Sequence, residues 1–248
     1  MGIGTLIGEG LIVVALGYSL HKSGVSINSG KDIFADYKSV AKISGNSILE
    51  QIFERIGMFL FTRMIAELGA VATATSHIVM IAVDVVYYIF MGMGQASSSI
   101  TGRVLGEGNK KELKEYIKVF KNSGILAGVI ATFIFIFLRR PIFTMLSGDP
   151  NAVALGDKVM MIAALSMVQQ ALAQIFSGAL RGASDTAYVA KYSLIIIAFV
   201  RPMLTYIFTF KFNLGLSGAW LAFLVDQSLR MLASTTRTRT DKWLSHKV

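Results

Sequence analysis

The sequence predicts an all-α fold, a polytopic transmembrane helical bundle of about seven spanning helices. Three observations predict it. Hydrophobic residues make up 54% of the 248 and charged residues only 16%, with a mean hydropathy of +0.60, so there is too little polar surface to cover a soluble domain. The apolar residues fall into runs close to the ~20 residues that a bilayer requires. No window alternates apolar and polar residues long enough for a barrel strand, and in lipid a helix satisfies its own backbone groups.

The runs cover residues 3–20, 43–66, 71–97, 116–138, 155–177, 188–210 and 216–234. The first could pass for a signal peptide, but no basic region precedes it, Glu9 lies inside it and Gly17-Tyr18-Ser19 is its nearest cleavage candidate, so a spanning helix is the better reading. The Met-Gly start lacks Ser or Thr at position six, which argues against myristoylation. Residues 22–42 mix Gly, Ser, Asn, Lys and Asp and read as a linker. Residues 110–121 place Leu113, Ile117 and Phe120 on one face among lysines; they either lie along the membrane surface or form the wet first turns of the next helix. Ser147-Gly-Asp-Pro150 reads as a turn with Pro150 opening a helix.

Lysines and arginines crowd residues 21–42, 98–121, the turn after 177 and the tail, whereas the opposite connections carry Arg139, Arg140, Lys158 and Lys211. That bias predicts a cytoplasmic C-terminus and, with seven helices, an outside N-terminus. The same bias accounts for the net charge of +9 without a nucleic-acid partner, because the basic residues interrupt spanning runs and form no continuous face.

Enzyme and cofactor motifs are absent. There is no phosphate-binding Gly-x4-Gly-Lys loop, Gly92-Met-Gly94 follows no strand, and the chain has no cysteine. His21, His77 and His246 are too scattered in sequence to form a metal-binding motif. The candidates are instead ionisable and polar groups at membrane depth, which are costly there and face a cavity or a partner. Glu50 and Glu54 lie one helical turn apart, Asp84 sits mid-run, and Gln51, Gln95, Gln169, Gln170 and Gln174 add uncharged polarity. Arg55, Arg63, Arg201 and Asp226 lie in the same runs. Two carboxylates on one face can bind Na+ or a proton, since low dielectric favours a carboxyl's neutral form. The competing reading is internal ion pairing, such as Asp84 with Arg63. Methionines including Met58, Met80 and Met91 suit an adaptable pocket or plain packing, and Phe61, Tyr87 and Tyr88 could stack on a planar cation.

Between the runs ending at 177 and starting at 188 stands Gly178-Ala-Leu-Arg-Gly-Ala-Ser-Asp-Thr186. Gly178 and Gly182 allow close helix approach, and Arg181 and Asp185, four apart, can pair if the helix continues through them. This turn resembles a hallmark of the MATE (multidrug and toxic compound extrusion) family. Leu49-Glu50-Gln51, the stretch from Gly102 through Gly106 to Asn109, Asp149-Pro150 ahead of Ala154-Leu155-Gly156, and the stretch from Gly215 to Ala222 resemble the family too, in its order. The likeness runs from about residue 10 to 240 and matches the second half of the family's twelve-helix plan plus the helix before it. It implies a leftover helix at 1–21, a cytoplasmic linker at 22–42, a six-helix lobe at 43–236 and a cytoplasmic tail at 237–248.

The resemblance implies secondary active efflux of small organic cations across the plasma membrane, with no cofactor and Na+ or H+ as coupling ion. Glu50 would help bind that ion, as a possible Na+ ligand; the residue pattern itself adds Glu54 and Asp84 as further cation-coupling candidates. Gly178, Arg181, Gly182, Asp185, Thr186, Gly102 and Gly106 would be structural. The chain departs from the family at Asn46, Ile89 and Val168, where proline is frequent, and carries Gln169, Gln170 and Gln174 where some members use an Asp. It would be incomplete without an N-terminal lobe or a second chain. The alternatives are a non-transporting half-transporter or membrane scaffold, and a lipid-linked saccharide flippase of the wider superfamily.

Overall fold

The computed structural model describes residues 10–15, 17–19, 22, 37–146, 149–240 and 243–244, with backbone only at 37–43 and 146. Much of the run at 3–20, most of the linker and the tail beyond Thr240, apart from Trp243 and Leu244, lie outside the described residues. Two compact units are distinguished, Met1–Lys42 and Ile43–Val248. In the first, residues 10–15 and 17–19 are helical and exposed.

The second unit is a bundle of long helices, with no strand among the described residues. Helix α1 spans Tyr37–Ala66, α2 Ala70–Gly106, α3 Lys110–Leu146, α4 Pro150–Leu165 and α5 Met167–Gly182. Helix α6 runs over Thr186–Lys211 and α7 over Gly215–Arg239. Helices α2, α3 and α6 are long and apolar enough to cross a membrane, as are α4 and α5 taken together as one bent span. Helices α1 and α7 fall short of that measure. They carry Glu50, Glu54 and Arg55, and Asp226, Gln227 and Arg230, in their middle turns.

Of the two readings of residues 110–121, the structure has the first turns of α3; Leu113 is buried there and its face continues into the apolar run. The elements differ from the sequence reading in two ways. The run at 155–177 is two helices that meet at Ser166 with a 40° bend, where the Ser166 hydroxyl donates to the Ala163 carbonyl at 2.7 Å. Helix α6 is π-helical at Leu194–Val200 and again at Ile207–Lys211, on either side of Arg201–Tyr206. Pro202 lacks a backbone donor, and a widened turn ahead of it accommodates a helical proline. Pro150 does open α4, with Asp149 as N-cap accepting from the Asn151 backbone at 2.9 Å.

Helix α5 is the centre of the unit. Eleven of its sixteen residues are buried, so it contacts helices on every side. Its most extensive partner is α2. The two helices meet at small residues spaced four apart, Gly94, Ser98 and Gly102 against Gly178 and Gly182. A Cβ added at Gly178 would collide with the Gly94 carbonyl, and one at Gly182 with the Ser98 carbonyl. Such spacing lets backbones touch where no hydrophobic effect drives helices together. On one flank of this seam Phe61, Val79, Phe90, Met160, Met167 and Trp220 form the main apolar core. A second cluster gathers Val104, Leu113, Leu180 and Val189 with Trp243 and Leu244 near the turn that follows α5.

Candidate functional site

A cavity of about 680 Å³ opens among α1, α2, α5, α6 and α7. Each helix contributes the side chains that its period brings to one face. Helix α1 supplies Glu50, Glu54, Met58 and Phe61, and α2 supplies Asp84, Tyr87, Met91 and Gln95. Gln170, Gln174, Ser177 and Arg181 descend from α5 on a nearly straight stripe. Helix α6 adds Tyr192 and Arg201, and α7 adds Trp220, Phe223, Gln227 and Arg230. The cavity is graded. At the end beside the turn 183–185 it is lined by Ser47, Glu50, Ser98 and Arg181, and at the far end by Phe61, Met80, Trp220 and Phe223. Trp220 meets Phe61 edge to face at 6.1 Å and Phe223 at 5.3 Å, while its indole donates to the Ser76 hydroxyl at 3.2 Å.

The carboxylates are matched with arginines. Arg181 donates to Glu50 at 2.9 Å and Arg230 donates to Glu54 at 3.0 Å. Arg201 donates to Asp226 at 2.5 Å, Gln227 donates to the same carboxylate oxygen at 2.9 Å, and the Arg201 guanidinium lies 5.3 Å from the centre of the Phe223 ring. Asp84 makes no ion pair among the described residues, Arg63 included. Three buried polar atoms on residues of the cavity wall, Gln170 Oε1, Gln227 Oε1 and Arg201 Nε, have no protein partner among the described residues.

The turn after α5 is tied on three sides. Helix α5 ends at Gly182 and Ser184 takes a φ of 61°, so the chain reverses before an i,i+4 pair can form. Arg181 therefore reaches Glu50 on α1, and Asp185 reaches Arg237 on α7 at 2.7 Å; this replaces the predicted Arg181–Asp185 pair. Thr186 accepts from Asn46 at 3.2 Å. Ser177 bonds Tyr192 across the turn at 2.7 Å.

Of the sequence candidates, Glu50, Gln51, Glu54, Asp84, Gln95, Gln170, Gln174 and Arg181 come together on the cavity wall, and Gln169 does not. Gly102 faces the Gly182 carbonyl, and Gly106 has open space around it. Sequence reasoning missed Arg230, Tyr192, Ser177 and Gln227 as cavity residues. Arg230 had a signal, since it lies one turn beyond Asp226 in the same run. Among the described residues no three His, Asp or Glu side chains gather as a metal site, so a Na+ at Glu50 would take neutral oxygens for its remaining ligands.

The sequence profile described as MatE matches residues 47–207. A probable multidrug resistance protein NorM of Mannheimia succiniciproducens is 24% identical over 77% of this chain and 42% of its own length. The multidrug resistance protein MdtK of Pectobacterium atrosepticum is 27% identical over 77% of this chain and 43% of its own. The chain thus spans less than half the length of these curated relatives. The bent form of the Vibrio cholerae MATE transporter VcmN shares the fold, with a TM-score of 0.77 at 18% identity over 85% of this chain and 48% of that one. With the profile covering more than half of its residues, and with its helices following those of a MATE transporter, this membrane chain belongs to the MatE family.

Proposed function

We propose that the chain is the second lobe of a MATE-type efflux transporter of the plasma membrane. It exports small organic cations or drugs in exchange for Na+ or H+. Residues 43–236 would form the lobe, 1–21 a helix left from the first lobe, 22–42 the linker and 237–248 a cytoplasmic tail. Glu50 would load the coupling ion, with Glu54 one turn along α1 and Asp84 further along the same cavity wall, and the lobe would work only with an N-terminal lobe or a second chain across the cavity. One observation carries the reading. The cavity has Glu50 toward one end and a tryptophan–phenylalanine cluster toward the other, which suits a cargo with a charged centre on a flat apolar body. Alternating access needs two lobes rocking about such a site.

The test is ethidium efflux from cells that express the chain alone, the chain fused behind a first lobe from a relative, and that fusion carrying Glu50→Gln. Efflux by the fusion, with little from the chain alone and at least a tenfold loss on substitution, is the expected result. Equal efflux by the fusion with and without the substitution overturns the role of Glu50. A non-transporting scaffold is the second reading, favoured by the arginine that already neutralises each of Glu50 and Glu54. It predicts no efflux in any arm and a stable co-purifying partner.

A further inference from the structure

We propose that Arg181 is the built-in competitor of the Glu50 site, a tethered cation that a monovalent cation must displace in order to bind. This rests on the reading of Glu50 as a cation site and adds what governs its occupancy.

The two glutamate–arginine pairs on α1 differ in the freedom of their arginines. The Arg230 side chain is 7% exposed, whereas that of Arg181 is 30% exposed. If Arg230 let go of Glu54, a charge would be bared inside the protein. Arg181 can swing away from Glu50 into an open part of the cavity. It stands in the last turn of α5, where the helix carbonyls favour a guanidinium in either position. The Glu50–Arg181 pair is therefore the exchangeable one and the Glu54–Arg230 pair the fixed one.

The surrounding backbone gives the exchange its form. Gly178 and Gly182 press directly on the α2 backbone, Asp185 is held by Arg237 and Thr186 by Asn46. The turn cannot retreat, so Arg181 leaves by rotating about its own side-chain bonds. Its guanidinium sits 2.9 Å from Glu50, which is where an incoming cation would have to sit. Two positive charges cannot share that position without strong repulsion, so occupancy by Arg181 and by a cation is exclusive. The carboxylate is neutralised in both states, first by the tether and then by the ligand.

Competition predicts a gain of affinity when the competitor is removed, whereas an arginine that only holds the fold predicts a loss. The experiment is equilibrium binding of radiolabelled Na+, and separately of tetraphenylphosphonium, to the purified chain in detergent. Arg181→Gln is expected to tighten binding about tenfold and Arg181→Lys, a single donor in place of a fork, by a smaller factor. Glu50→Gln abolishes binding. Tightening of Na+ alone identifies the coupling ion as the displacing cation, and tightening of tetraphenylphosphonium alone identifies the cargo. If Glu50→Gln leaves both ligands bound, the Glu50 site itself is wrong and the inference falls with it. If Glu50→Gln abolishes binding while Arg181→Gln leaves it unchanged or weaker, the inference is overturned and the site stands. Should Arg181→Gln not fold, Arg181→Lys decides, with unchanged affinity overturning the proposal.

Discussion

Glu54 and Glu50 are the same residue type one turn apart, yet they answer to different constraints. Neutralising Glu54 leaves the Arg230 guanidinium buried and unmatched, a loss of about 3 kcal/mol. Neutralising Glu50 bares a guanidinium that water reaches, at a cost of about 1 kcal/mol or less. Glu54→Gln is therefore expected to lower the melting temperature of the purified chain by about 5 °C or more, and Glu50→Gln by only a few degrees. Tryptophan fluorescence during heating reads both, and equal shifts would contradict the assignment. The carboxylates themselves were legible in the sequence, because charge inside an apolar run stands out. Their partners were not: Arg181 and Arg230 lie 131 and 176 residues away, and no local periodicity reports which distant helix a long side chain will meet.

Among the helices, the seam between α2 and α5 has the least tolerance. Gly178→Ala drives a methyl into the Gly94 carbonyl and Gly182→Ala one into the Ser98 carbonyl. Each is expected to cost about 2–3 kcal/mol and to lower the yield of monodisperse protein in size-exclusion chromatography several-fold. Gly106→Ala is the control. Gly106 lies in the same motif set, with nothing within 4 Å of an added Cβ, and the substitution is expected to leave the yield unchanged. The glycine spacing was readable, and so were all six helix-forming stretches between 43 and 234 to within a few turns, because apolar runs and turn residues are local signals. The break at Ser166 was not, since a single serine inside an apolar run can also sit within a continuous helix by bonding back to a carbonyl one turn earlier. The π-helical turns of α6 were hidden for a similar reason: they show in hydrogen-bond spacing, and only Pro202 hinted at them.

Viewed whole, the unit places its two kinds of connection at opposite ends. Trp243 and Leu244 join Val104, Leu113 and Leu180 in one cluster, so the end of α7, the start of α3 and the turn after α5 share a side. The α6–α7 connection lies at the other end. If the basic residues face the cytoplasm, a cysteine at Lys110 is shielded in intact cells and one at Phe212, exposed in the fold, is labelled by an impermeant maleimide. The natural chain has no cysteine, so each substitution reads against a clean background. Labelling of Lys110→Cys with protection of Phe212→Cys would reverse the orientation. The charge bias that predicts this was plain in the sequence. The graded cavity was not, because it needs five helices in register before Glu50 and Trp220 appear at its two ends.

The widened turns of α6 bear on the chain's tolerance of length changes. A π turn holds about one residue more than an α turn, so Leu194–Val200 carries a residue in surplus. Deleting one position there lets the stretch relax to α geometry while the segments before and after keep their facing, Tyr192 and Arg201 included. The same deletion in α2 would rotate everything beyond it by about 100°, turning Asp84 or Gln95 away from the cavity. The chain can thus lose a residue in one helix where it can lose none in another, which makes α6 the place to look for single-residue gaps among its relatives.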